Sequence, residues 1–115
     1  MLREFLRAKI HGATVTEANV EYTGSITIDE AFLDAAGIGP YEKVLVGDLT
    51  NGARFTTYTL VGEKGSGVVC VNGAAAKLVE VGDKVIIMCF GLLGEDEVEG
   101  YKPRVIYLDG ENRIQ

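Results

Sequence analysis

No segment of this chain keeps an apolar stripe at helical spacing for more than about two turns, and that limits the fold more than any other feature. Apolar residues come instead in short β-branched runs, closed by turns that carry Gly, Asn or Asp. Arg7–His11 ends the first run, with Lys9 and His11 on one face by the period of two. Thr14–Thr23 is expected to run extended into the Gly24-Ser25 turn, and Ser25–Ile28 is a short strand. Asp29 caps the best helix, which carries Ala31, Phe32, Ala35 and Ala36 and stops at Gly37. Glu42–Leu49 and Arg54–Val61 read as strands joined through the hairpin signal Asn51-Gly52. Gly62–Gly67 is a loop, Val68–Val71 a buried strand, and Asn72–Lys77 an alanine-rich turn or single helical turn. After Gly82-Asp83 comes Lys84–Phe90, the most apolar strand, expected to be buried on both faces. Gly94–Gly100 is an acidic loop, Arg104–Leu108 the last strand, and the tail from Asp109 is expected to fray. About seven or eight short strands with little helix make an all-β barrel or sandwich.

Length and charge narrow the function. A chain of 115 residues predicts one domain, 1–115. It buries roughly two-thirds of its unfolded surface, enough for one core but not for a large internal pocket. Seventeen acidic residues against 11 basic ones give a net charge of -6, which argues against a nucleic-acid partner. An anionic substrate would need a basic site on this acidic molecule. No apolar run is long enough for a transmembrane helix, and the first residues lack a signal peptide's apolar region. No membrane partner is expected, and the cytoplasm is the expected location. Cys70 and Cys89 sit in apolar runs without metal-type spacing, so both are expected to be reduced and buried. The single histidine, His11, excludes most all-protein zinc sites, and no metal is expected.

The candidate chemistry lies in Lys9-Ile10-His11, Tyr22-Thr23-Gly24-Ser25-Ile26, Asn51-Gly52-Ala53-Arg54-Phe55-Thr56-Thr57-Tyr58 and Val71-Asn72-Gly73-Ala74-Ala75-Ala76. Each is weak alone. A Gly-Ser pair is ordinarily a turn entering a strand. Arg54 reads as a solvated residue after a hairpin, Tyr58 as a strand aromatic, Lys9 as an exposed charge and His11 as a structural histidine. Taken together, in register from Leu2 to about Tyr107, the four segments resemble the pyruvoyl-dependent aspartate 1-decarboxylases.

That resemblance implies a small double-psi β-barrel with one or two short helices, assembled as a homotetramer. It implies self-cleavage between Gly24 and Ser25, giving a 1–24 β chain and a 25–115 α chain. A serine hydroxyl can attack the preceding carbonyl, and a glycine there has no Cβ to block the approach. The ester that forms can lose the Gly24 carboxylate, leaving dehydroalanine, which hydrolyses to a pyruvoyl group and ammonia. The pyruvoyl group is the implied cofactor, an electron sink comparable to pyridoxal phosphate. The implied reaction converts L-aspartate to β-alanine and CO2 for pantothenate biosynthesis. The resemblance gives Tyr58 the role of proton donor, Arg54 the retained substrate carboxylate, and Thr57 the oxygen of the attacked carbonyl. Asn72, Gly73, Ala74 and Ala75 form a second binding segment, with small residues that let a ligand approach the backbone. Lys9 adds positive charge, His11 orients groups near Tyr22, and Ile86 flanks the pocket.

Alternation places Arg54 and Tyr58 on one strand face and Thr57 on the other. Thr57 therefore reaches the same site only through a bulge or across a subunit boundary. The chain departs from the family at Gly47, where many relatives carry a large aromatic; this bears on pocket shape. The tail after Leu108 is also shorter than in several relatives. Two other readings remain open: a pyruvoyl decarboxylase for another acidic amino acid such as glutamate, and an uncleaved β-barrel that binds or scaffolds.

Overall fold

Alternating apolar residues become the inward faces of eight strands in the computed structural model, which describes Met1–Gln115. The strands are β1 (Arg3–Thr14), β2 (Glu17–Asn19), β3 (Ser25–Asp29), β4 (Lys43–Asp48), β5 (Arg54–Gly62), β6 (Val69–Asn72), β7 (Lys84–Leu93) and β8 (Arg104–Tyr107). Two short helices, α1 (Glu30–Ala36) and α2 (Glu95–Val98), and a 3-10 turn over Gly73–Leu78 complete the chain. The strands form one mixed sheet in the order β2-β6-β3-β5-β4-β7-β1-β8. The pairs β1·β8, β2·β6 and β3·β5 are parallel. A hairpin cannot join parallel neighbours, so β3 reaches β5 by way of α1 and β4.

The sheet wraps around its own inner face. One cluster of 19 buried residues gathers Ile10 from β1, Ile26 from β3, Val46 from β4, Val71 from β6 and Ile87 from β7. The link between β1 and β2 ties distant parts of the sheet together. Thr16 N–H donates to Val69 O at 2.9 Å and Val15 N–H to Asp83 O at 2.9 Å. The expected mainly-β, barrel-like architecture with short helices is what the chain adopts.

Asp29 caps α1 as expected, with its carboxylate accepting from Ala31 N–H at 2.8 Å. The same carboxylate accepts from Gly65 N–H at 3.1 Å and Gly67 N–H at 2.7 Å. Three donors make burial of this acid tolerable, and they anchor the Gly62–Gly67 loop to the helix.

Four expectations need correction. The extended run after Thr14 is confined to β2, because Asn19 Oδ1 accepts from Glu21 N–H at 3.1 Å and turns the chain before Tyr22. The strand buried on both faces is β6, not β7. Val85, Ile87 and Cys89 of β7 face the core, while Ile86 and Met88 are half-buried and Phe90 is exposed, because no second layer covers that side within the chain. The acidic loop contains α2, whose first turn is closed by Glu97 accepting from Gly94 N–H at 2.8 Å. The tail does not fray. Asn112 is buried, Leu108 bridges to Ile114, and the Asn112 side chain bonds Thr14 N, Thr14 O and Gly67 O at 2.7, 2.8 and 2.9 Å.

Candidate active site

A polar cluster forms where β3 begins and β6 ends. The two strands are antiparallel, with Ser25 opposite Asn72. Ser25 is only 1% exposed, and its hydroxyl donates to Thr23 O at 3.1 Å. Asn72 Nδ2 donates to Ser25 Oγ at 3.0 Å and to Thr27 Oγ1 at 3.2 Å. Cys70 Sγ approaches Asn72 Oδ1 at 3.1 Å and Glu17 Oε2 at 3.4 Å. Burial, and after it the Glu17 carboxylate, pushes the Cys70 thiol up to about 11. The thiol therefore keeps its hydrogen at neutral pH.

Gly73 presses on the Gly24-Ser25 segment. Its φ is +78°, and a Cβ there would lie 2.5 Å from Gly24 Cα, 2.8 Å from Gly24 N and 3.2 Å from Tyr22 O. Glycine is required at 73 both by conformation and by space. A Cβ at 24 would meet nothing within 4 Å. Packing thus demands a glycine at 73 but leaves 24 free, so a need for glycine at 24 would be chemical.

The neighbouring strand brings up Tyr58. β3 and β5 run parallel, with Ile26 beside Thr59. One residue back along both strands, Ser25 is level with Tyr58. Ile26 and Thr59 face the core, so Ser25, Tyr58 and Asn72 share the outward face. The β4·β5 register runs without a shift from Gly47·Arg54 to Lys43·Tyr58. No bulge reorients Thr57, which stays on the side of Phe55 and Thr59.

The other expected residues occupy the same outward face but are spread along it. His11, Ile86, Gly47 and Arg54 form one continuous row across β1, β7, β4 and β5. Lys9, Met88, Leu45 and Thr56 form the row beside it. Three strand spacings separate His11 from Arg54, about 14 Å along the sheet. One chain therefore does not gather Lys9 and His11 into a pocket with Arg54 and Tyr58. A shallow depression of about 280 Å³ opens over Gly47, lined by Arg54, Ile86 and Met88. A Cβ on Gly47 would meet nothing within 4 Å. Neither Arg54 nor Lys9 takes part in an ion pair within the chain.

His11 does not pair with Tyr22. Its ring lies 5.4 Å from that of Tyr107 on β8, and its Nδ1 is buried without a partner. Tyr22 is exposed in the turn after β2. Ala74 and Ala75 open the 3-10 turn beyond Asn72, Ala74 exposed and Ala75 half-buried. Thr27 and Cys70 were not among the expected site residues, yet both bond Asn72. The period of two puts Cys70 on the side of Asn72, a placement the sequence carries but does not single out.

Comparison with known proteins covers the whole chain. The profile of the family described as "Aspartate decarboxylase" matches residues 1–115. The chain belongs to the aspartate decarboxylase family. A relative from Caldicellulosiruptor bescii named "Aspartate 1-decarboxylase" is 58% identical over 114 residues, covering 99% of this chain and 89% of that protein. Another of the same name, from Bacillus cereus (strain G9842), is 57% identical over 114 residues, covering 99% of this chain and 90% of that one. Among solved structures, "Crystal structure of the computationally designed msDPBB_sym2 protein" aligns with a TM-score of 0.47 at 17% identity, over 76% of this chain and 99% of that chain.

Proposed function

We propose that this chain is a pyruvoyl-dependent aspartate 1-decarboxylase on a double-psi β-barrel, made as a precursor and activated by its own Ser25. One observation carries the reading: in a chain of this family, the buried Ser25 Oγ is held by Asn72 while Gly73 braces Gly24. Ser25 Oγ adds to the Gly24 carbonyl carbon, and the C–N bond gives way to an ester. Thr57 faces the other side of β5, so the Thr57 that holds the carbonyl oxygen is contributed across a subunit boundary. Elimination releases the Gly24 carboxylate with the Cα proton of residue 25, leaving dehydroalanine. Addition of water and loss of ammonia then give the pyruvoyl group at the head of 25–115, with 1–24 as the other chain.

The residues present fit such a group. Neither Gly24 nor Gly73 carries a Cβ to crowd residue 25, and Asn72 places a hydrogen-bond donor beside it. When formed, the group withdraws electrons from the amino acid joined to it, so that CO2 can leave. The chain's own side chains do the rest. Arg54, free of any internal ion pair, holds the carboxylate that is retained. Tyr58 supplies, from its hydroxyl, the proton that replaces CO2. Asn72 and the backbone of Gly73-Ala74-Ala75 hold the substrate end nearest Ser25. Lys9, His11 and Ile86 lie too far along the sheet to reach Tyr58 in the same copy. A second copy packed on the outward face completes the pocket, as a homotetramer allows. The product is β-alanine for pantothenate biosynthesis, made in the cytoplasm; no helix of the chain is long and apolar enough to cross a membrane.

The open depression over Gly47, beside Arg54, favours a second reading in which a longer acidic amino acid such as glutamate is accepted. The deciding experiment combines intact mass after warm incubation with decarboxylation assays on aspartate and glutamate. The proposal expects two species split between residues 24 and 25, faster CO2 release from aspartate, and neither property in Ser25→Ala. A Ser25→Ala variant that still decarboxylates aspartate would sink it. Faster release from glutamate would replace it by the second reading.

A further inference from the structure

The amide of Asn72 can face Ser25 with either end, and its chemistry depends on which. The Ser25 hydroxyl hydrogen is committed to Thr23 O, so Ser25 Oγ is left as an acceptor and needs the NH2 end. Thr27 Oγ1 also receives that NH2 end. Nothing in these contacts alone prevents the amide from turning over, because both hydroxyls can rotate to donate instead. The far end of the amide breaks the tie. Asn72 Oδ1 faces Cys70 Sγ at 3.1 Å, two residues back on the same strand. A thiol is a donor first and a weak acceptor second. Turning the amide over would set its NH2 against the thiol and its oxygen against Ser25 Oγ.

We propose that Cys70 is a positioning residue for activation: its S–H holds Asn72 with the amide nitrogen on Ser25 Oγ, and so sets the rate at which the Gly24–Ser25 bond is cut. The inference rests on the self-cleavage proposed above and adds a residue to it. Cys70 suits the role by its surroundings. It is 4% exposed, so water does not compete for its hydrogen. Its raised pKa keeps the hydrogen in place across the neutral range. Glu17 Oε2, at 3.4 Å, is the one competing acceptor, but it is farther away and lies at the exposed start of β2.

The test is a time course of cleavage by intact mass for the wild type, Cys70→Ala and Cys70→Ser, with a thermal melt of each. Cys70→Ala removes the donor and is expected to slow cleavage about tenfold, the effect of one lost hydrogen bond. Cys70→Ser restores a donor with a shorter reach, and cleavage should return to within about threefold of the wild type. Wild-type cleavage in Cys70→Ala overturns the inference while leaving self-cleavage intact. Equal slowing in both variants, tracking their melting temperatures, overturns it in favour of simple packing. A wild-type chain that stays whole under these conditions overturns the underlying reading and the inference with it.

Discussion

Replacing Gly73 by alanine tests the bracing of the cleavage segment most directly. The new Cβ would sit 2.5 Å from Gly24 Cα and 2.8 Å from Gly24 N. Non-bonded carbons settle at about 3.5–4.0 Å, so main chain must move by about 1 Å. Both partners are backbone, and neither can turn aside as a long side chain would. The left-handed φ of +78° adds roughly 1–2 kcal/mol for any residue with a Cβ. Overpacking of this kind costs about 1–3 kcal/mol more. The sum, about 2–5 kcal/mol, lowers the melting temperature by about 10–20 °C in a domain of this size. The displaced residue is Gly24, so Gly24–Ser25 cleavage should also fail. Gly24→Ala is the matched control: its Cβ has no neighbour within 4 Å, so melting should stay within about 3 °C while cleavage slows. Differential scanning fluorimetry and intact mass read both quantities from the same samples. A Gly73→Ala variant that melts and cleaves like the wild type would refute the argument.

Three further outcomes are expected. Tyr58→Phe should cleave normally, because Tyr58 lies beside Ser25 without bonding it, and turn over about 10²–10⁴-fold more slowly; unchanged CO2 release would remove Tyr58 from proton transfer. Asp48 is buried and beside Asp83, and burial first, then the neighbouring acid, holds its carboxyl above the ordinary range. A raised acid stabilises the fold below its unfolded pKa, and that contribution is lost as pH rises through the folded value. Asp48→Asn leaves no proton to lose at this position, so melting temperature should fall less steeply with rising pH than in the wild type; parallel profiles would count against a raised Asp48 carboxyl. Asn112→Ala removes the three hydrogen bonds that hold the tail to Thr14 and Gly67, and should cost about 2–4 kcal/mol in urea unfolding; a loss below about 0.5 kcal/mol would mean the tail is not held there.

Strand content was legible because it is local. Period-two runs, the Asn51-Gly52 turn and the Asp29–Gly37 helix each sit within about ten residues, where backbone propensity and capping act. The chain bears out all three. Two of the misreadings arose where distant segments decide. The tail looked free because its anchors, Thr14 and Gly67, are far away in the chain. The β7 run looked doubly buried because apolar composition does not say whether a second layer exists to cover it.

The same division holds for the site. The sequence by itself determined the chemical groups available: a Gly-Ser bond to cut, a phenol, a guanidinium, an amide and a run of small residues, at separations that resemble one family. Alternation also determined that Arg54 and Tyr58 share a face without Thr57. Only the tertiary structure decided which of these groups meet. The antiparallel β3·β6 register sets Asn72 on Ser25, the parallel β3·β5 register sets Tyr58 alongside, and Cys70 and Thr27 enter as partners of Asn72. It also decided that Lys9 and His11 stand three strands away from Arg54. The reason is that a strand's own pattern selects which face a side chain takes, whereas strand order and register, set by packing around a shared core, select its neighbours.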